Sequence, residues 1–288
     1  MDNTARPNYQ AENRPKHDKC NICGKSADLT EDHVPPKFWH NSKEKRYSQG
    51  LGTYDPLQTE KAFPWKSRKG IVFRSICGDC NNRILGSSKD KALQEFCDQV
   101  RNHIINHRIY TSYINCSIDA NLTAKAVTGH MLAAKGYYDD KTTVDKILRE
   151  YVLDDAALPP DDMQLLYFYY PWQYIVVGRD IVVSRLGKNE DRYAVPEGMI
   201  SCIYSFPLAF ILTDKKQNLH MLDLFSYCRN GVVGKQDVLF NYKSMYYPGT
   251  NEVRNAFWPA NISDDKDGTQ MLLGGKSLQN MIIGIGEE

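Results

Sequence analysis

The chain has 288 residues, 42% of them hydrophobic and 25% charged, and its formal net charge is +1. This composition is that of an ordinary soluble protein with one large or two modest domains. No basic leader followed by an apolar stretch opens the chain, and its longest apolar run, residues 199–212, is shorter than the roughly 18 residues needed to span a bilayer. We therefore expect a cytoplasmic protein that has no membrane partner.

Two closely spaced cysteine pairs follow a polar N-terminal segment. Residues 1–18 are rich in Asn, Pro, Arg and Lys and show no apolar period, which predicts a flexible arm. The pairs, each of the form Cys-x-x-Cys, are Cys20 with Cys23 and Cys77 with Cys80. Because each pair places two thiolates on one side of an ion, the four cysteines predict a tetrahedral structural zinc site. Many small modules use such a site purely for folding, so the site alone does not assign a function.

The residues that could carry chemistry lie between and just after these pairs. Asp32 and His33 are neighbours, and Asn81 directly follows the last cysteine. Carboxylate and amide oxygens are hard ligands that favour magnesium or manganese, and a neutral imidazole can remove a proton from water. We therefore expect Asp32 and Asn81 to hold a catalytic divalent metal and His33 to be the general base. The ordinary alternative for Asp32 and His33 is that they form a turn or capping pair. For Asn81 the alternative is that its side chain caps a helix.

The predicted elements around the second cysteine pair are a loop, a strand and a helix. Residues 36–70 are rich in Lys, Ser, Gly and Pro with isolated aromatics, which predicts a long excursion over the surface. Residues 70–76 predict a short strand. In residues 89–107, apolar side chains recur at helical spacing along one stripe, which predicts a packing helix.

Two further helices are predicted in the middle of the chain. The first covers residues 122–137, with Asn121 or Thr123 as its cap, and the second covers residues 143–153. His130 lies among alanine and methionine on the first of these helices. This setting is typical of a buried core histidine whose ring nitrogens are satisfied.

After Pro159 and Pro160 the chain is rich in β-branched and aromatic residues separated by turn residues. This pattern predicts antiparallel hairpins. The predicted strands are residues 165–170, 174–177, 181–186, 200–204, 208–213 and 220–225, with a turn at residues 178–180. The aromatic side chains in residues 167–174 could stack on nucleic-acid bases, but such density is more typical of a packed sheet.

The other four cysteines sit singly in apolar surroundings. They are Cys97, Cys116, Cys202 and Cys228. This distribution favours buried free thiols in a reducing compartment over disulfides.

Basic residues are concentrated in the first part of the chain. Residues 1–110 hold 19 Lys and Arg against 13 Asp and Glu, whereas the remainder holds 17 against 22. A basic excess beside a metal site would attract a polyanion, so we expect this part to bind nucleic acid. A solvated lysine-rich surface is the alternative. The candidate phosphate contacts are Lys37, Arg74 and Arg83. For each of them the alternative is a solvated surface charge.

The motif in residues 20–86 resembles that of the HNH endonucleases of the ββα-metal fold. A Cys-x-x-Cys pair, then Asp-His with a following proline, then Cys-x-x-Cys-Asn carry the likeness over about a quarter of the chain. The resemblance implies that His33 is the general base, that Asp32 and Asn81 hold the catalytic Mg²⁺ or Mn²⁺, and that the cysteines hold structural zinc. It also implies hydrolysis that leaves 3′-hydroxyl and 5′-phosphate ends, mostly on DNA.

One position of the HNH pattern is not matched. The family usually has a middle Asn or His about five residues before the third cysteine, and its side chain orients the general base. Residues 72–76 contain neither. The alternatives for orienting His33 are His40, Asn41, Asn82 or a backbone carbonyl.

We therefore predict an α+β protein in which a zinc-clamped ββα-metal (HNH) module is followed by helices and a mostly antiparallel β domain. The predicted divisions are the arm at residues 1–18, the HNH module with its packing helix at residues 19–107, and the helical segment plus β domain at residues 108–288. The last is expected to serve regulation or targeting through an activating ligand, a protein partner or an oligomer. By analogy, the protein is expected to be a prokaryotic antiviral defence effector, with DNA favoured over RNA as its substrate.

Two alternatives to an active nuclease stand beside this prediction. The first is a non-catalytic zinc module that binds nucleic acid or a protein partner, with Asp32 and His33 structural. The second is a degenerate nuclease that retains the fold and has lost cutting, for which the unmatched middle position is the argument.

Overall fold

The computed structural model describes residues 14–39, 44–49, 65–66, 71–106, 113–170, 175–184, 196–214, 221–242 and 270–274. Within these ranges the strands are β1 (His17–Lys19), β2 (Ser26–His33), β3 (Glu44–Gln49), β4 (Trp65–Lys66), β5 (Val72–Cys77), β6 (Tyr113–Asp119), β7 (Met163–Tyr169), β8 (Ile175–Ser184), β9 (Pro196–Ser205), β10 (Leu208–Asp214), β11 (Leu222–Asp223), β12 (Lys235–Asn241) and β13 (Gln270–Gly274). The helices are α1 (Lys89–Asn106), α2 (Ala120–Ala133), α3 (Thr143–Leu153) and α4 (Leu224–Arg229), with a 3₁₀ turn at Lys37–Trp39 and a π-helical turn at Cys80–Leu85.

The strands form three antiparallel sheets, so the fold is α+β as expected. A small sheet has the order β1-β2-β5, a large one β11-β7-β10-β9-β8-β13-β3-β4, and a ribbon pairs β12 with β6. Strand β2 pairs with β5 from Leu29 opposite Cys77 to His33 opposite Val72. Strand β5 thus begins beside His33 and ends at Cys77, from which the chain continues to Cys80.

The helices follow the predicted apolar periods closely, apart from the bounds of α2. The predicted helix at residues 143–153 is confirmed as α3, and α1 confirms the packing helix up to residue 106. Helix α2 begins at Ala120 because the Asp119 side chain accepts a hydrogen bond from Leu122 N over 2.9 Å. The predicted caps Asn121 and Thr123 are therefore wrong, since both lie inside the helix.

Helix α2 ends earlier than predicted because its last carbonyls are capped by the cysteine-rich segment. Asn21 Nδ2 donates to Leu132 O and to Lys135 O, over 3.1 and 2.7 Å. Ser75 Oγ donates to Ala133 O over 2.5 Å. The end carbonyls of a helix have no partner inside it, so these bonds satisfy groups that would otherwise be buried without one. They also fix α2 against β5 and the first cysteine turn.

Two predictions in the β-rich part are wrong, the second of them in part. The predicted turn at residues 178–180 is a register shift within the continuous strand β8. This irregularity lets Arg179 point inward, where its Nη2 lies 2.7 Å from Asp145 Oδ1. The strand predicted at residues 220–225 is confirmed only at Leu222–Asp223, which is β11; α4 begins directly after it because the Asp223 side chain caps that helix by accepting from Phe225 N.

The surface excursion predicted for residues 36–70 begins with a buried anchor. Trp39 is fully buried, its Nε1 donates to Ser205 O over 3.0 Å, and its ring packs edge-on against Phe210 at 5.4 Å. Further along, β3 pairs with β13 in the large sheet. The prediction of a loop confined to the surface is therefore wrong where the chain is described.

The N-terminal arm predicted for residues 1–18 is folded from residue 14 onward. The Arg14 side chain is buried and donates to Asn21 Oδ1 over 2.7 Å and to Asp18 Oδ2. Asp18 lies within β1, which pairs with β2. Residues 1–13 lie outside the described part of the chain.

The helices, the small sheet and the large sheet share one hydrophobic core. Helix α2 contacts β5 on one side and β9 on the other. Phe96 of α1 packs edge-on against Tyr167, Phe210 and Phe240. The buried hydrophobic residues form a cluster that extends from Cys20 to Tyr242, on both sides of residue 107. In strand β7, both Tyr167 and Phe168 are fully buried. This burial confirms core packing for the described aromatic residues of that strand.

A buried ion network also joins the cysteine-rich segment to the large sheet. Asp145 of α3 accepts from Lys135 Nζ over 3.0 Å and from Arg179 of β8 over 2.7 Å. Arg149, one turn further along α3, donates to Asn21 O over 2.9 Å. Because a buried charge is stable only when it is paired, these contacts hold their segments in one arrangement. None of the helices that are described is long and apolar enough to cross a membrane.

Candidate metal centre and catalytic cluster

The four paired cysteines converge on one point. All four are free thiols, and their sulfur atoms lie within 4.8 Å of one another. The Sγ atoms of Cys23 and Cys77 are 3.8 Å apart. Four sulfurs placed tetrahedrally at about 2.3 Å from a zinc ion would be about 3.8 Å apart, whereas a disulfide requires about 2.05 Å. The cluster therefore has the donors and the spacing that could hold a zinc ion.

Local backbone geometry builds this cluster. After Cys20 the chain makes a tight turn in which Gly24 N donates to Cys20 O over 2.8 Å. Gly24 has a φ of 70°, a left-handed conformation that glycine adopts without strain. Cys77 at the end of β5 then donates its backbone N–H to Cys20 Sγ over 3.3 Å. Such a bond is typical of a metal-binding thiolate, since it partly neutralises the sulfur.

The four sulfurs also compete for protons. A hydrogen bond from Cys80, opposed by burial, lowers the pKa of Cys20 to about 5. The same contact raises the pKa of Cys80 far above its usual range. Burial raises the pKa of Cys23 to about 11. Thiols this close cannot all ionise unless a cation lies among them, which is the situation that favours binding of a metal.

The predicted catalytic residues lie at the other end of β5. Asp32 and His33 end strand β2 and are opposite Phe73 and Val72. Asp32 is 5% exposed and His33 is half-buried. Consecutive side chains of a strand point to opposite faces, so the two residues project to different sides.

Asn81 comes close to this strand from the following helical turn. Its Nδ2 donates to Thr30 Oγ1 over 3.1 Å and lies 3.5 Å from Glu31 O, although 51 residues separate it from Thr30. Asp79 occupies the N-cap position of the helical segment, so Asn81 lies inside the segment and the capping alternative for this residue is wrong. Thr30 is two residues before Asp32 on the same strand, which places Asn81 beside the segment that carries the Asp-His pair.

Asp32 has a buried partner that the sequence pattern did not indicate. Its Oδ2 accepts a hydrogen bond from His130 Nδ1 over 3.0 Å, and Asp90 Oδ1 accepts one from His130 Nε2 over 2.9 Å. Burial disfavours the charged imidazole, but the two carboxylates outweigh it and raise the pKa of His130 to about 10. His130 is thus a satisfied core histidine, as expected, and it is held as a cation between two acids.

Sequence signals for this Asp-His-Asp chain are weak. His130 is 98 residues from Asp32 and 40 residues from Asp90. Asp90 lies in the first turn of α1, where an acid is ordinary because it favours the helix dipole. The one available hint was a histidine on an otherwise apolar helix, since such a group needs polar partners.

The three candidate phosphate contacts differ in their surroundings. Arg74 lies 3.4 Å from Glu31, and Arg83 forms two bonds with Asp79, at 2.6 and 2.8 Å. Both pairs are partly or fully exposed, so they contribute little to stability and can open for a ligand. Lys37 is exposed on the 3₁₀ turn that follows β2.

Of the three side chains proposed as alternatives for orienting His33, only Asn82 lies in the described part of the chain. Asn82 is exposed on the π-helical turn next to Asn81. His40 and Asn41 lie outside the described residues. Val72, which pairs with His33, occupies the strand position where a backbone carbonyl could serve instead.

No family model, curated protein or solved structure matches the chain. The likeness to HNH endonucleases therefore stands on the motif in residues 20–86. Function has to be argued from the geometry and chemistry of the site.

Proposed function

We propose that the protein is a metal-dependent endonuclease of the HNH type that hydrolyses phosphodiester bonds of DNA. The observation that supports this most is the hydrogen bond from Asn81 to Thr30, which brings a third polar residue of the motif to the strand that carries Asp32 and His33. The antiparallel pair of β2 and β5, with a helical turn directly after β5, provides the two strands and the helix that the resemblance implies, although β3 and β4 lie between the two strands along the chain. DNA is the proposed substrate because water activated by a histidine needs no 2′-hydroxyl.

Each residue has a role in this proposal. Asp32 and Asn81 would hold a Mg²⁺ or Mn²⁺ ion through hard oxygen ligands, and the ion would stabilise negative charge on the phosphate. His33 accepts the proton of the attacking water, which requires the neutral imidazole. The four cysteines, with a structural zinc ion, would hold the end of the β2–β5 pair at which Leu29 lies opposite Cys77. The basic N-terminal part attracts the nucleic acid.

One observation favours a second candidate, a non-catalytic zinc module that binds nucleic acid or a protein partner. Asp32 is buried and its carboxylate is engaged by His130, as in a purely structural pair. In that case a substitution of Asp32 would destabilise the protein. Its affinity for Mg²⁺ or Mn²⁺ would be the same as that of the wild type.

Cleavage of supercoiled plasmid and of RNA with Mg²⁺ or Mn²⁺ tests the proposal. We expect His33→Ala to lower the rate at least about 100-fold, the lower end of what a positioned general base contributes, with zinc content and DNA binding unchanged. Asp28→Asn is the control, because Asp28 lies on the same strand and, within the described ranges, forms its ion pairs with exposed His17 and Lys16. This control should cut like the wild type.

The outcomes separate the two candidates. Equal cutting by wild type and His33→Ala would show that this motif is not the nuclease site. A wild type that contains zinc and binds nucleic acid but cuts neither DNA nor RNA would favour the binding module. Cutting of RNA alone would correct the proposed substrate.

A further inference from the structure

His130 links α2 to a proposed metal ligand and to the first turn of α1. Its Nδ1 donates to Asp32 Oδ2 over 3.0 Å, and its Nε2 donates to Asp90 Oδ1 over 2.9 Å. The ring is fully buried, and among the described side chains it is the group that bonds the Asp32 carboxylate. The orientation of this carboxylate is therefore set from a helix that lies outside the HNH-like motif.

The residue before His130 brings α2 against the turn that carries Asn81. A Cβ atom at Gly129 would overlap Leu85 Cδ2, so a larger residue would force the buried Leu85 side chain to move. Leu85 is fully buried and belongs to the same π-helical turn as Asn81. Two consecutive residues of α2 thus contact the turn of one proposed ligand and the carboxylate of the other.

We propose that His130 is a positioning residue for metal binding, which holds Asp32 by Oδ2 so that the second carboxylate oxygen is presented to the divalent cation. This inference rests on the proposed function, because it takes Asp32 as a ligand of that cation. A hydrogen bond to a ligating carboxylate fixes its orientation before the ion binds, and loss of such a partner weakens metal affinity about 10-fold to 100-fold. Asp90 holds the ring from its far side and prevents it from turning away.

Two amide substitutions separate the two ends of the ring. His130→Asn places an amide N–H near the position of Nδ1 and keeps a donor to Asp32. His130→Gln places it near Nε2 and keeps a donor to Asp90 instead. Each variant removes one of two carboxylate contacts and the positive charge, so the two are matched in the buried defect that they create.

The measurement is the Mn²⁺ affinity of the zinc-loaded full chain by titration calorimetry, with zinc content and thermal unfolding measured on each sample. We expect the Kd for Mn²⁺ to rise about 10-fold to 100-fold in His130→Gln and to stay within about threefold of wild type in His130→Asn. An unchanged Kd in folded His130→Gln, or equal weakening in both variants, overturns the proposal.

Asp32→Asn separates this inference from the proposed function. If wild type and Asp32→Asn bind Mn²⁺ equally well, Asp32 is not a ligand, and the role of His130 falls even where the protein cuts DNA. If the wild type neither binds Mn²⁺ nor cuts, the proposed function falls and the inference with it.

A measurement on the wild type decides the matter where His130→Gln does not fold. With isotope-labelled histidine, the Nδ1–H resonance of His130 should shift when Mg²⁺ is added, because the ion withdraws charge from the acceptor Asp32. A resonance that stays in place at saturating Mg²⁺ contradicts the proposal.

Discussion

The four-cysteine cluster and the Asp32–His130–Asp90 chain lie at opposite ends of strand β5 and differ in how they are assembled. The cysteines come from two short turns, and their spacing along the chain already brings them together in pairs. The Asp-His-Asp chain draws on β2, α1 and α2, which meet only when the helices pack against the small sheet. Each half of the cysteine cluster is therefore local, although the two halves are 54 residues apart, whereas the Asp-His-Asp chain depends on tertiary packing and on charge throughout.

This difference predicts different responses to substitution, to pH and to backbone strain. A site that needs all four ligands fails when any one of them is lost. A hydrogen-bonded ion chain responds in a graded manner, because its stability follows the protonation of one ring.

The largest effect is expected from removal of one cysteine ligand. Cys80→Ser should lose zinc and unfold the small sheet, because structural zinc sites contribute on the order of 10 kcal/mol to folding. Cys202→Ser is the matched control, since it makes the same change at a buried thiol outside the cluster. Zinc per chain by elemental analysis and circular dichroism measure the result. A wild type without zinc, or a Cys80→Ser variant that keeps it, would contradict the metal site.

The next effect is an opposite pH dependence of the two clusters. The pKa of His130 is raised from 6.5 to about 10 in the folded protein. Its pairing therefore stabilises the fold fully below pH 6.5, and this contribution is lost as the pH rises toward 10. The free-energy difference between wild type and His130→Asn should accordingly shrink over that range, by an amount on the order of a few kcal/mol.

Denaturant unfolding of both proteins between pH 6.5 and 10 measures this difference and cancels groups that titrate equally in the two. A constant difference would show that the ring is not held as a cation. The cysteine cluster should respond in the other direction, with zinc released as the pH falls, because thiolates must be deprotonated to bind metal.

The smallest effect is expected at the glycine of the first cysteine turn. Gly24→Ala should lower the free energy of unfolding by about 1–2 kcal/mol, because alanine is strained in the left-handed backbone conformation. The loss should be somewhat larger than this because the new Cβ would lie 2.8 Å from Tyr138 Oη. Gly231→Ala is the control, since Gly231 has the same φ of 70° with nothing within 4 Å. Denaturant unfolding compares the two variants. No loss in either would contradict the strain argument, and equal losses would show that Tyr138 moves aside freely.

Sequence reasoning was most successful where a pattern repeats over a short span. Helix α3 has the predicted bounds at residues 143–153, and α1 differs by one residue at the edge of the described range. In both, apolar side chains recur at helical spacing, which constrains the backbone from within the segment. The two cysteines of each pair come together for a similar reason, since they lie within four residues, whereas the two pairs are 54 residues apart and meet only in the folded protein.

The structure differs from the local sequence signal where distant residues override that signal. Gly178 and its neighbours are typical turn residues, but Asp145 on α3 draws Arg179 inward and β8 continues through them. Trp39 lies in a loop-like composition, yet it is buried against Ser205 and Phe210. In these cases a buried partner decided the conformation, and that partner cannot be identified from nearby sequence.

The sequence by itself thus determined the two cysteine pairs, the Asp-His pair and the periodic helices, because each depends on residues a few positions apart. Only the tertiary structure decided that Asp32 is buried against His130 and that Asn81 reaches strand β2. The physical reason is that the free energy of a buried charge depends on the groups packed around it. Here those groups come from segments up to 98 residues away, and folding alone brings them together.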